Sequence, residues 1–190
     1  MSITSAKSGA TGISLALDNN FMEPIASTLV GASGVNTVIF DDIPQNYKHL
    51  QIRFLARTTR ANQEDNIQLR FNSDSAANYA AHVLYGDGAT AGSFSDGASI
   101  SFNTRSVVAA ASSTAGIFGS GVIEVLDYAN ISKNKTVRSL NGYEANGTGQ
   151  VRLSSGLWMS TVAINSITIV SANAANFVQY SRFSLYGIKG

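Results

Sequence analysis

The sequence predicts an all-β domain: an antiparallel two-sheet sandwich, jelly-roll-like, with an extended N-terminal arm. Three observations carry that prediction. From residue 35 onward, ten short β-like runs are separated by clusters of Gly, Asn, Asp and Ser, the punctuation of strands and turns. No long helical period appears in that region. Pro24 and Pro44, the two prolines, both fall outside the predicted strands, as sheet hydrogen bonding favours.

Residues 1–34 are read as the arm. Ile13, Leu15, Leu17, Phe21, Met22, Ile25, Leu29 and Val30 are apolar anchors in a background of small residues. A short helix within residues 13–18, stopped before Pro24, is compatible with this stretch. Such an arm finds its apolar partners either along an edge of its own domain or on a neighbouring subunit.

The sandwich is assigned to residues 35–190. Its runs are VNTVIF, YKHLQIRFLART, NIQLRF, NYAAHVLY, ASISF, GIFGSGVIEVLDY, TVRSLNGYEA, GQVRLSSGLWM, INSITIVSA and RFSLYGIK. NSDSA, GDGATAGSFSDG, NISKNK, ANGTG and SANAAN read as the turns between them. In the second run Leu50, Ile52, Phe54 and Ala56 share one face, and His49, Gln51, Arg53 and Arg57 the other. NIQLRF repeats the scheme, with Ile67, Leu69 and Phe71 inward and Gln68 and Arg70 outward. Joined through TTRANQED, these two strands are expected to form a hairpin whose outer face carries Arg53, Arg57 and Arg70. Glu64 and Asp65 are placed in its loop, available to pair with those arginines.

Composition narrows the function. A chain of 190 residues is one ordinary domain, able to bury about 70% of its unfolded surface. Net charge is +1 and 13% of residues are charged, where about 25% is usual. That is too neutral for a nucleic-acid binder that relies on a phosphate-matching field. The absence of cysteine excludes disulfides, thiolate metal sites and cysteine nucleophiles. No apolar stretch approaches the ~18 residues of a membrane span, and the first residues make a poor signal peptide. Synthesis in a reducing cytoplasm is expected. Ser, Thr, Asn, Gly and Ala replace the missing charge, a surface suited to close packing against other proteins.

No constellation of reactive groups stands out. His49 and His82 each sit alone on a predicted strand, where a metal site needs three or four ligands. Paired-acid hydrolysis would need a meeting such as Glu124 with Asp87, which no motif recommends. GDGATAG at residues 86–92 lacks the following helix and the spacing of a phosphate loop. Serines lack the G-x-S-x-G elbow. The sequons at Asn130, Asn134 and Asn146 read as turns. Tyr79, Tyr85, Tyr128, Tyr143, Tyr180 and Trp158 are candidates for a sugar-stacking platform, though aromatics of a core and its rim explain them at least as well. No cofactor and no metal is expected.

IPQNYKHLQIRFLART, followed by LRFNSDSAANYAAHVLYGDG and the ending FSLYGIKG, resembles virion structural proteins of tailed bacteriophages, cyanophages among them. The resemblance is carried by Ile43, Pro44, Tyr47, Leu50, Ile52 and Arg53, by Arg70, Phe71 and Asn72, and by Leu185 to Ile188. It spans about residues 20–190 and consists of strand patterns rather than catalytic signatures. It implies a non-enzymatic virion component, assembled in the bacterial host's cytoplasm, whose partners are the major capsid protein or other virion proteins.

Within that class a capsid decoration (cement) protein is favoured, because a short arm before one domain suits a lattice better than a projecting fibre. A homo-oligomer, with a trimer favoured, is expected to attach through Leu15, Leu17, Phe21 and Ile25, with Arg53, Arg57 and Arg70 as rim contacts. The alternative is a tail-fibre or receptor-binding module that recognises a host glycan. It would gather Tyr85, Tyr143, Trp158 and the loops at 86–97 and 144–149 at one end of the sandwich. A third class, a sugar depolymerase, lacks a motif-supported acid pair.

Overall fold

The computed structural model describes residues 21–190, which contain twelve strands and no helix. In chain order these are β1 Met22–Leu29, β2 Thr37–Phe40, β3 His49–Ala56, β4 Glu64–Phe71, β5 Tyr79–Gly86 and β6 Ala91–Ser99. The second half comprises β7 Phe102–Ala109, β8 Gly119–Leu126, β9 Lys135–Glu144, β10 Gly149–Trp158, β11 Ile167–Ser171 and β12 Arg182–Ile188.

The pairing is nested. β1 pairs with β12, β2 with β11, β3 with β8 and β4 with β7, all antiparallel. The chain is thus a long ribbon folded back on itself. Further pairing of β12 with β3 and of β11 with β4 rolls that ribbon into two sheets. Eight strands so arranged are a jelly roll. The hairpins β5–β6 and β9–β10 are inserted into it and extend one sheet beyond β8. The large sheet has the order β1-β12-β3-β8-β9-β10-β5-β6 and the small one β2-β11-β4-β7.

The inner faces follow the alternation. Leu50, Ile52 and Phe54 from β3, Ile67, Leu69 and Phe71 from β4, and Phe183 and Leu185 from β12 are all buried in one core. Each fully buried side chain of this size contributes about 1.5–3 kcal/mol. The two ends of the resemblance meet in space. A Cβ on Gly187 would lie 2.3 Å from the Tyr47 ring, so only glycine lets that ring close over β12. The Tyr47 hydroxyl donates to Glu23 Oε2 at 2.8 Å, and the Tyr128 hydroxyl donates to the Pro44 carbonyl.

Four expectations are corrected. Residues 22–29 of the expected arm are β1, the edge strand of the large sheet, and Pro24 lies inside it. An edge strand tolerates proline, and the register with β12 shifts between Pro24 and Ala26. Residues 1–20, with the short helix considered at 13–18, lie outside the described residues.

β3 and β4 do not form a hairpin. Their apolar faces oppose each other across the core, so the TTRANQED connection carries the chain from the large sheet to the small one. Glu64 and Asp65 consequently belong to β4 rather than to a loop.

GDGATAGSFSDG is not all turn, because Ala91–Ser99 pairs with β5 as the other edge of the large sheet. Only residues 87–90 turn, held by Asp87 Oδ1 accepting the N–H groups of Ala89 and Thr90. Finally, β7 replaces the run read as ASISF. Ser106, Val107, Val108 and Ala109 are buried in succession, so this half of β7 shows none of the alternation that reveals a half-exposed strand. The large sheet's extension curls over this strand, and Asn141 Oδ1 accepts the Val107 N–H at 2.8 Å. That bond occupies an edge donor that would otherwise be free to template aggregation.

Candidate interaction surface

On the extension the usual pattern is inverted. The faces of β9 and β10 turned toward β7 carry Ser139, Asn141, Arg152 and Ser154, all buried. Arg152 donates to Asn66 Oδ1 at 2.6 Å and to the Arg105 carbonyl at 3.0 Å, and pairs with Glu64 at 3.1 Å. Because residues alternate, filling the covered face with polar groups sends the leucines outward.

The outward leucines are in register. Val122 on β8 faces Leu140 on β9, Leu140 faces Leu153 on β10, and Leu153 faces Leu84 on β5. Leu84, Leu140 and Leu153 are 59%, 58% and 52% exposed. Val151, 55% exposed, lies one pleat away on the same face. Single exposed leucines are ordinary, whereas a continuous row of them marks a contact surface.

The row is bounded by charge. Arg53 faces Val122 across β3–β8, its Nε donating to Gln51 Oε1 at 2.9 Å and its guanidinium standing 5.5 Å from the Tyr186 ring centroid. Arg138 pairs with Glu124 at 3.2 Å one pleat along. Two shallow concavities flank the leucines. One of about 700 Å3 is lined by His82, Leu84, Arg138 and Leu153. The other, about 990 Å3, is lined by Arg53, Leu140, Glu144 and Val151 beside the 87–90 and 145–148 turns.

The structure places the predicted contact residues in different settings. Arg53 borders the leucine row. Arg70 is on the small sheet, so the sandwich separates the two. Arg57 is committed internally, donating to the carbonyls of Thr114, Ile117 and Ser113 at 2.8 Å each and of Ala111 at 3.3 Å. Phe21 is 76% exposed at the start of β1, while Ile25 packs against the core. Leu15 and Leu17 lie outside the described residues.

Arg57→Met removes the donors shared by those four carbonyls. Hydrogen exchange in residues 111–117 should accelerate, with a global stability loss of about 1–3 kcal/mol. Unchanged exchange in that loop would contradict the clamp.

The aromatic platform is not assembled. Trp158 lies at the far end of β10 from the 145–148 turn, buried, with its ring stacked 6.3 Å from that of Tyr79. Its Nε1–H donates to Asp74 Oδ2 at 2.7 Å. Tyr85 and Tyr143 are half-buried, and their strand positions share the covered face with Arg152. Glu124 and Asp87 are also kept apart. Three strands across and five residues along separate them, about 20 Å at ordinary sheet spacings. His49 Nδ1 accepts the Asp127 N–H at 3.0 Å. Among the described residues no group of three or more His, Asp or Glu could hold a metal ion.

Hydrogen bonds from Asn78 and Trp158 hold the Asp74 carboxyl below the usual carboxylate range. A lowered folded-state pKa contributes stability that is fully present above the unfolded value, near 3.9, and is lost as pH falls through the folded one. Wild-type stability, read from Trp158 fluorescence in urea, should therefore decline below about pH 4. Asp74→Asn should flatten that decline and cost about 1 kcal/mol at neutral pH. An undiminished acid slope in the variant would refute the assignment.

No family model, curated protein or solved structure matches this chain. The reading of its surface therefore rests on the geometry above.

Proposed function

We propose that this protein is a non-enzymatic structural component of a tailed-phage virion, a decoration protein seated on the capsid through its N-terminal segment and the leucine row. The observation that carries this reading is the in-register row Val122–Leu140–Leu153–Leu84, an apolar sheet face built by two hairpins added to a jelly roll. Covering three half-exposed leucines contributes roughly 1 kcal/mol each. Repetition over the subunits of an oligomer, a trimer by preference, turns such modest contacts into durable attachment. The low surface charge supports the same reading, since attachment through apolar area is little affected by salt.

Antibody raised against the purified protein should decorate the shell of intact particles, with a copy number comparable to that of the capsid protein. Label confined to the tail would overturn the decoration role, and unlabelled particles would overturn the virion role. Deleting residues 2–20, just short of β1, should leave a folded domain that no longer joins particles. Wild-type occupancy by the truncated protein would remove the N-terminal segment from the attachment.

A second reading, a receptor-binding module for a host surface glycan, draws on the concavity of about 990 Å3 beneath the turns at 87–90 and 145–148. Purified protein would then compete with particles for adsorption to host cells. Adsorption unaffected by excess protein would dispose of it.

A further inference from the structure

We propose that Asn146 is a modification site: in the folded protein it deamidates spontaneously, through a succinimide, and so breaks the turn between β9 and β10. The inference is independent of the virion role. The reaction needs an asparagine or aspartate followed by a residue whose backbone nitrogen can reach the side-chain carbonyl carbon. Glycine is the best follower, because it has no Cβ to hinder the approach and its backbone turns freely. The chain has four such dipeptides: Asp87–Gly88, Asp96–Gly97, Asn141–Gly142 and Asn146–Gly147. By sequence the two asparagines are equal. In the structure they are not.

Three of the four side chains are engaged. Asp87 Oδ1 accepts the N–H groups of Ala89 and Thr90 at 2.9 and 2.6 Å. Both carboxylate oxygens of Asp96 accept from Arg105, at 3.0 and 3.1 Å. Asn141 is buried inside β9, its Oδ1 accepting the Val107 N–H and its Nδ2 donating to Ser139 Oγ at 2.9 Å. Asn141 and Gly142 are paired on both sides, with β8 and with β10. A Cβ on Gly142 would stand 2.5 Å from the Gln150 carbonyl oxygen. The Gly142 nitrogen therefore cannot swing toward the Asn141 side chain unless the sheet opens.

Asn146 is the exception. It is exposed at the tip of the hairpin, and its side chain has no hydrogen-bond partner among the described residues. Asn146 and Gly147 have φ values of 62° and 94°, both positive, as a two-residue type I′ loop requires. Nothing lies within 4 Å of the place a Gly147 Cβ would take. The Gly147 N–H donates to Glu144 Oε1 at 2.7 Å. That N–H lies in the peptide plane, whereas ring closure comes from above or below it, so the bond leaves the approach open.

The Gly147 nitrogen attacks Asn146 Cγ. A new N–C bond forms, the bond from Cγ to Nδ2 breaks, and the proton lost by the nitrogen leaves on ammonia. Water then opens the imide ring at either carbonyl. One opening gives aspartate; the other gives isoaspartate, whose main chain runs through Cβ and Cγ and is longer by one atom. A two-residue loop has no slack for that atom, so the 2.6 Å bond from the Ala145 N–H to the Thr148 carbonyl is lost. Either product sets a second carboxylate near Glu144, at the rim of the concavity of about 990 Å3.

Both Asn–Gly pairs fall in one tryptic peptide, residues 139–152, so a single digest with tandem mass spectrometry compares them. Full-length folded protein, aged at mildly alkaline pH and physiological temperature, should become about 1 Da heavier at Asn146. That gain should be at least about tenfold faster than at Asn141, which reacts only when β9 opens. In guanidinium the two rates should converge, because the fold alone separates them. Hydrogen exchange at the Ala145 amide should quicken as wild-type protein ages and stay constant in Asn146→Ser. Equal rates at the two asparagines in folded protein would overturn the proposal. So would a rate at Asn146 more than about tenfold below its value in guanidinium, since the turn would then be protective. Ala145 exchange that is the same in fresh and aged wild-type protein would overturn the loss of the turn.

Discussion

Asp65→Ala should destabilise the protein by about 3–5 kcal/mol, the largest loss expected from any single side chain described here. The carboxylate is fully buried at the start of β4, and both oxygens are used. Oδ2 accepts from Thr58 Oγ1 at 2.9 Å and Ser171 Oγ at 2.6 Å. Oδ1 accepts from the Asn66 N–H at 2.8 Å and from Asn173 Nδ2 at 2.7 Å. Thr58 lies where the chain crosses from the large sheet to the small one, and Ser171 and Asn173 lie where it prepares to return. One side chain therefore ties together two crossovers more than 100 residues apart (|i−j| = 106 between Asp65 and Ser171). Truncation leaves two buried hydroxyls without their acceptor, and buried unsatisfied groups cost about 1–3 kcal/mol each. Guanidinium melts measure the loss directly. A midpoint shift equivalent to less than about 1 kcal/mol would show that water replaces the carboxylate at little cost.

The paired change Leu140→Lys with Leu153→Glu should abolish attachment to the particle while sparing the fold. The two positions face each other across β9 and β10, so the new charges form a cross-strand pair, worth about 0.2–1 kcal/mol, in place of the apolar one. Both side chains are more than half exposed, which limits the stability change to about 0.5 kcal/mol. Burying that pair against a partner costs several kcal/mol more than burying two leucines, enough for at least a hundredfold loss of occupancy. Reconstitution of stripped particles with each protein, followed by sedimentation, gives the comparison. Normal occupancy with a normal melting temperature would remove the leucine row from the attachment surface.

A sheet with one wet face and one dry face shows its direction in its sequence, and β3, β4 and β12 are of that kind. Leu50, Ile52 and Phe54, then Ile67, Leu69 and Phe71, point inward as their alternation says, because one residue of slip would expose every one of them. Turn chemistry placed most strand ends equally well. The extension is different. Along TVRSLNGYEA and GQVRLSSGLWM both faces mix polar and apolar residues, so parity is legible and direction is not. Only the closeness of β7 turns Asn141 and Arg152 inward and leaves Leu140 and Leu153 in solvent.

The sequence by itself determined the all-β character of the described residues, most of the turns, and which residues of the plain strands form the core. Those properties depend on neighbours one to four residues away. Tertiary structure alone decided that β1 closes on β12, that β3 and β4 oppose each other in separate sheets, and that Arg57 serves a loop while Arg53 borders the leucine row. Each of these depends on partners from 50 to more than 150 positions along the chain, as in Arg57 with Thr114 (|i−j| = 57) and Ser27 with Ser184 (|i−j| = 157). The free energy of such contacts belongs to the closed ribbon, and no local pattern of residues encodes which distant strand will supply it.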